Sequence, residues 1–142
     1  MAYELSVFVE NKPGKLERIT KILAENGINL RSFSVASAGE FGVVKIFVNE
    51  VDRAEELLRQ GGFTVTRRHI LVALVPDEPG GLHGLLAALS QNEINVEDCY
   101  GFPLRRGNRA AIVVDVEKFP PAEEVLRKNG FKVLNDEELR DL

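Results

Sequence analysis

Two stretches carry residue types whose spacing could do chemistry, Asn11-Lys12-Pro13-Gly14-Lys15-Leu16 and Asp77-Glu78-Pro79-Gly80-Gly81-Leu82. In each, proline fixes the direction of the chain and glycine lets the backbone approach a bound group with no side chain in the way. Each follows an apolar run, at residues 5–9 or 71–75, and opens a segment with helical periodicity, so each reads as a strand-to-helix turn. The first amides of a helix lack intrahelical partners and carry the positive end of its dipole, which suits a small anion such as a carboxylate. A side-chain oxygen of Asn11 or Asp77 can meanwhile face an ammonium group. That pairing suits a zwitterion. Proline, glycine and asparagine also shape ordinary turns, and residue types alone leave both readings open.

The elements that would position these turns come from a duplication. Pro13-Gly14 matches Pro79-Gly80 at an offset of 66, and Leu16, Ile19, Leu23, Asn26, Ile28 and Asn29 fall on Leu82, Leu85, Leu89, Asn92, Ile94 and Asn95 at the same offset. Further on, Gly62-Phe63-Thr64-Val65 falls on Gly130-Phe131-Lys132-Val133 at an offset of 68. The two extra residues of the second copy belong in a surface turn, most simply at residues 104–108.

Each copy reads as strand, helix, strand, strand, helix, strand. In the first, Leu5, Val7 and Val9 alternate as a half-buried strand does, and Leu16, Ile19, Ile22 and Leu23 recur at helical spacing up to a closing Gly27. Strands follow at 30–36 and 43–48, then a short helix with Asp52 as its N-cap, then a strand from Phe63. The second copy repeats the order, with Pro120-Pro121 at the entry of its last helix and a short helical turn begun by Asp136 at the tail. Right-handed crossovers convert this order into an α+β fold, two ferredoxin-like βαββαβ sandwiches in tandem, with domains at 1–67 and 68–142. The connector Thr66-Arg67-Arg68-His69 has no glycine, proline or serine, so the copies are expected to be rigidly joined through edge strands, with two strands running on as one.

Composition narrows the partners. The chain has 142 residues, 44% of them hydrophobic, enough for one average domain or two small ones. With 18 basic against 22 acidic residues and a net charge of -4, it has no basic footprint for nucleic acid or an anionic membrane. A single cysteine excludes an internal disulfide and any multi-cysteine metal site, and no metal or cofactor is expected. The N-terminus lacks the order of a signal peptide, and no apolar run approaches the roughly 20 residues of a spanning helix. A cytoplasmic protein is the expectation. Residues 70–75 are apolar at every position, and Val43 and Phe47 put apolar groups opposite Val44, Ile46 and Val48. A sheet with helices on one face only would leave these wet, which predicts a homodimer or a larger partner.

Two copies of strand, Asn/Asp-x-Pro-Gly-x-Leu, helix, Ile-Asn-Leu/Val resemble tandem ACT domains, small regulatory modules that bind amino acids; the resemblance covers residues 4–134. It implies an amino acid held at an interface between two modules, against the loop of one and the asparagine of the other. Carried over by position, it picks out Asn11, Pro13, Gly14, Lys15, Leu16 and Asn29 in the first copy. In the second it picks out Asp77, Pro79, Gly80, Gly81, Leu82 and Asn95. Each asparagine lies beyond the far end of its helix, so it would meet a neighbouring module's loop if second strands pair edge to edge. Asp77 stands where the pattern has asparagine, and its carboxylate would repel a ligand carboxylate, so unequal sites are expected.

The remaining candidates are weaker. His83 sits beside the second loop, His69 and the acidic Glu50, Asp52, Glu55 and Glu56 read as solvated, and Cys99 has no partner cysteine or base. Tyr100 and Phe102 suit core or interface packing as well as a pocket. No nucleophile, base and orienting group occur together, so no catalysis is expected. Two functions remain: an amino-acid-binding regulatory protein acting in trans on a partner enzyme, or a non-ligand-binding small regulatory or scaffold subunit of an amino-acid biosynthetic enzyme.

Overall fold

Alternating and helical apolar patterns build matching elements in both halves. The structure, a computed structural model, describes residues 2–142. Its first half runs β1 (Ala2–Glu10), α1 (Lys15–Glu25), β2 (Leu30–Ala38), β3 (Phe41–Val48) and α2 (Val51–Gln60). Next come β4 (Thr64–Pro76), α3 (Gly81–Gln91), β5 (Val96–Pro103), β6 (Arg109–Val116), α4 (Phe119–Lys128), β7 (Lys132–Val133) and α5 (Asp136–Arg140). The connector is therefore continuous strand, because none of its residues resists extended backbone: β4 carries the last strand of one copy into the first of the next.

Two compact units result, Tyr3–Arg68 and His69–Leu142. In the first the strand order is β2-β3-β1-β4; in the second it is β5-β6-β4, with β7 on the other side of β4. Pairing is antiparallel, with Val7 opposite Val44 in one unit and Ala73 opposite Ile112 in the other. Each unit is thus a βαββαβ sandwich of the ferredoxin-like kind.

The cores match residue for residue. Leu5, Val7, Val9, Ile19, Leu23 and Ile28 in one have Leu71, Ala73, Val75, Leu85, Leu89 and Ile94 in the other, 66 residues on. Val44, Ile46, Val48, Ala54, Leu58 and Val65 have Ile112, Val114, Val116, Ala122, Leu126 and Val133, 68 residues on. The two inserted residues fall between β5 and β6, where residues 104–108 replace the tight Gly39-Glu40 turn. Truncating a fully buried core leucine such as Leu58 or Leu126 to alanine would cost about 2–5 kcal/mol.

On the sheet face opposite the helices Phe47 is 3% exposed and Ile70, Val72 and Val113 no more than 1%. Glu4, fully buried there, has the Lys45 ammonium 3.8 Å away. Large exposed apolar groups lie at Phe33 and Val35 on the β2 edge and, on this same face, at Phe8 and Phe41. Asp52 does not cap α2. Glu50 occupies the N-cap, and Asp52, one position inside the helix, pairs with Arg67, which also reaches Glu55 at 3.2 Å. His69 is not simply solvated but stacks on Phe119 at 3.6 Å between ring centroids, and burial holds its imidazole below the ordinary pKa. The tail forms α5, which begins at Asp136 as expected and is capped by Asn135 through reciprocal bonds with Glu138.

The ends of the equivalent helices α1 and α3 differ in one telling residue. Both close with a six-to-one backbone bond, Ile28 to Leu23 at 2.9 Å and Ile94 to Leu89 at 3.0 Å. That turn needs one residue in the left-handed region, supplied by Gly27 at φ 69° in the first unit and by Glu93 at φ 56° in the second. A side chain there is strained against its own backbone, so Glu93→Gly is expected to stabilise the protein by about 1 kcal/mol. Chemical denaturation checks this, and a destabilised variant would contradict it. For His69, the folded pKa lies below the unfolded value. The unfolded chain therefore binds more protons below about pH 6.5, and this contribution to stability is complete above that pH and declines as pH falls. Denaturation at pH 7.5, 6.5 and 5.5 should show a smaller acid loss in His69→Gln than in wild type; parallel losses would contradict the burial effect.

Candidate ligand site at the strand-to-helix loops

Each loop is built by a glycine in the left-handed region. Gly14, at φ 88°, is the N-cap of α1, and Gly80, at φ 87°, is the N-cap of α3; neither helix start has a side-chain cap. Glycine alone adopts this backbone without strain, and it offers the first turn of the helix no side-chain acceptor, although the Lys15 and Gly81 amides donate to the Lys12 and Glu78 carbonyls at 3.3 and 3.0 Å. Both loops are tied to the neighbouring hairpin. The Asn11 amide donates to the Glu40 carbonyl at 2.7 Å, and that of Asp77 donates to the Asn108 carbonyl at 2.8 Å. Asn11 adds a side-chain bond, its Nδ2 donating to the Gly39 carbonyl at 3.1 Å. Asn11 thus does shape the turn.

The sequence-derived site residues fall into two groups. Asn11, Pro13, Gly14, Lys15 and Leu16 share the first loop, and Asp77, Pro79, Gly80, Gly81 and Leu82 the second; Leu16 and Leu82 are each 41% exposed. Asn29 and Asn95, both exposed, stand just before β2 and β5 at the far ends of α1 and α3. Eleven helical residues separate each from its loop, roughly 16 Å at 1.5 Å per residue. Neither unit brings its own asparagine and loop together.

The first loop carries more charge than the motif alone suggests. Glu10, at the end of β1, lies 2.8 Å from the Lys12 ammonium and 3.8 Å from that of Lys15. The Lys12 hydrogen bond, with the positive charges of Lys12 and Lys15, holds the Glu10 carboxyl below the usual range and raises Lys12. One turn along α1, Arg18 donates to the Gly61 carbonyl at 2.6 Å and lies 5.4 Å over the ring of Phe63. Beside these groups is a cavity of about 470 Å³, whose walls include Phe8, Glu10, Lys15, Arg18, Phe41 and Phe63. Its size is that of a small-molecule site. Sequence reasoning missed Arg18, Phe8 and Phe41; the one available signal was that Arg18 has Gly84 as its counterpart 66 residues on.

The second loop is built differently. Gly81 replaces Lys15, and a Cβ placed on it would sit 2.0 Å from the Pro76 carbonyl oxygen, so no side chain fits. Gly84 replaces Arg18, and a Cβ there would touch the Phe131 ring at 3.7 Å. Lys15 and Arg18 therefore have no cationic counterpart at the second loop. His83 is exposed on α3. Cys99 is half-buried and faces the second core, and burial pushes its thiol pKa up, away from the reactive thiolate. Among the described residues no cluster of histidine, cysteine or acidic side chains is arranged to hold a metal, and no helix is long and apolar enough to cross a membrane.

Comparison with known proteins agrees with this architecture. A search of curated proteins found no match. Among solved structures, a protein from Bacteroides thetaiotaomicron shares 30% identity, with a TM-score of 0.91 over 99% of this chain and 96% of that one. The ligand-free regulatory subunit of aspartate kinase from Thermus thermophilus shares the fold at 15% identity, with a TM-score of 0.68 over 91% of this chain and 93% of that one. The Thermus flavus regulatory subunit does so at 14% identity and a TM-score of 0.58, covering 91% and 93%. The sequence profile of the ACT domain pair matches residues 1–142, the whole chain, and with the duplicated sandwich and its paired glycine loops this places the chain in the ACT domain pair family.

Proposed function

We propose that the chain is an amino-acid-binding regulatory protein that acts on a separate partner enzyme. The observation that carries this reading is the first loop: an uncapped helix start on Gly14, flanked by Lys15 and Arg18 and by the ionised Glu10, beside a cavity of small-molecule size. A carboxylate is stabilised at such a helix start and an ammonium by a carboxylate, so the loop offers both halves of a zwitterion a partner. The Thermus thermophilus chain of like fold and extent is a regulatory subunit of aspartate kinase, which supports a partner enzyme as the target. Regulation then follows from linkage: an amino acid that prefers one state of the assembly shifts the population toward it.

The β2 edge supplies the interface. Strand β2 ends its sheet and exposes Phe33 (52%) and Val35 (43%). An antiparallel pairing of β2 with β2 of a second copy would cover both. It would also set Asn29, at the start of one β2, against Ala38 at the end of the other, next to the Gly39 turn that Asn11 grips. The asparagine that cannot reach its own loop would thus complete the neighbour's.

Thermal denaturation with each of the twenty amino acids tests the reading. A true ligand at a hundred times its Kd adds about 2.7 kcal/mol of stability. No shift with any amino acid would contradict it in favour of a scaffold subunit that binds none. Gly14→Leu should abolish the shift while the protein still folds, since a Cβ at Gly14 meets no atom within 4 Å and the backbone strain costs about 1–2 kcal/mol. Unchanged ligand affinity in both Gly14→Leu and Gly80→Leu would rule out these loops. Sedimentation should show a dimer in wild type that Phe33→Glu dissociates; a monomeric wild type would contradict the edge pairing.

A further inference from the structure

Resting on the reading above, that an amino acid binds at the first loop, we infer that the ligand has an apolar or aromatic side chain and that only the first unit of each chain holds it. The cavity lined by Lys15 and Arg18 of α1 divides by chemistry. Lys15 and Arg18 stand together on the first turn of α1, where the helix dipole adds to their charge. With Lys12 they set three cations near the Glu10 carboxylate, a local excess of positive charge that a ligand carboxylate reduces. Glu10 is ionised and on the cavity wall, positioned for an ammonium group.

The rest of the wall is apolar. Phe8 (45% exposed) and Phe41 (63% exposed) leave ring surface bare to water on the strands, and Val43 and Ala36 fill the floor between them. Phe8 pairs with Val43, which pairs in turn with Ala36 across β2, so these three side chains share one sheet face. Exposed ring surface of this kind gains from being covered by an apolar group and gives nothing to a second charge. An acidic side chain would have its carboxylate desolvated against phenylalanine, and a basic one would meet Lys15 and Arg18. The chemistry therefore selects for leucine-like or phenylalanine-like ligands over charged ones.

The second unit serves as an internal control. At the same two positions it carries Gly81, packed on the Pro76 carbonyl with no room for a side chain, and Gly84, set against Phe131. Pro76 replaces Glu10, so the Lys15, Arg18 and Glu10 side chains of the first unit have no charged counterparts at these positions. The two loops share a backbone and do not share a site.

Isothermal titration of the full chain tests this with named probes: L-phenylalanine, L-leucine, L-aspartate, L-lysine, 3-phenylpropanoate and 2-phenylethylamine. The expected result is one site per chain, with L-phenylalanine or L-leucine binding at least tenfold more tightly than L-aspartate or L-lysine. 2-Phenylethylamine, which lacks the carboxylate, should bind more weakly than 3-phenylpropanoate, which lacks the amine. The double variant Lys15→Met, Arg18→Met should weaken L-phenylalanine at least tenfold with the melting transition retained. Should that variant fold poorly because Arg18 also holds Gly61, the exposed Phe41→Asp is expected to give the same loss. Tighter binding of L-aspartate or L-lysine, two sites per chain, or full affinity in a folded variant would overturn this inference while amino-acid binding itself stood. Absence of binding by all four amino acids would overturn it, and a negative thermal screen of all twenty would show that the underlying reading fails too.

Discussion

A helix that starts on a glycine has no side chain with which to satisfy its own first amides. Serine, threonine, aspartate or asparagine at the N-cap can end that deficit, as Asn135 does for α5, while α2 and α4 start without a side-chain cap. The two helices that follow the Pro-Gly loops have none either. Gly14 and Gly80 instead turn the chain through the left-handed region and leave the helix start open toward the end of the preceding strand. Everything around them holds that geometry in place. The strands fix the loop's origin by burying alternate apolar residues, the helices fix its exit through Ile19 and Leu23 or Leu85 and Leu89, and backbone bonds from Asn11 and Asp77 clamp it to the neighbouring hairpin. An open helix start kept in two copies is a standing electrostatic preference for anions, and it gives each unit the potential for a site.

What separates the units is how that potential is developed. Duplication left two cores in register at every position, so selection for packing has treated the copies alike. The loops have gone apart. In the first unit the positions facing the loop are Glu10, Lys15 and Arg18, which form a charged rim on an apolar cavity. In the second they are Pro76, Gly81 and Gly84, and the Pro76 carbonyl fills the space where a side chain would project. The two units thus share a core and a loop backbone and differ in the side chains beside the loop. The first unit also exposes Phe33 and Val35 along the β2 edge.

Much of the fold was legible because its causes are local. Period-two alternation in Leu5, Val7 and Val9, helical spacing in Leu16, Ile19 and Leu23, and the 66-residue offset each depend on residues close together or on direct repetition. The continuity of β4 followed from the absence of any turn residue at 66–69. Features set by distant contacts were not legible. Arg18 reads as an exposed helix residue until the turn 43 positions later brings the Gly61 carbonyl and the Phe63 ring beside it. Gly81 reads as a flexible neighbour of Gly80, and only the position of the Pro76 carbonyl shows that it must be glycine. Asp52 has a good N-capping side chain, yet the helix starts one residue earlier and Asp52 is taken by Arg67 across the unit. Burial of Phe47 and Val72 likewise cannot be read from a strand's own pattern, which shows two apolar faces without showing what surrounds them.

The claim that only the first loop is a working site can be read directly from backbone amides. In a heteronuclear correlation spectrum of the uniformly labelled full chain, titrated with L-phenylalanine, the amide signals of Gly14, Lys15 and Leu16 are expected to move in a saturable way while those of Gly80, Gly81 and Leu82 stay in place. Equal shifts at both loops, shifts at the second alone, or no shift at Gly14 would contradict it.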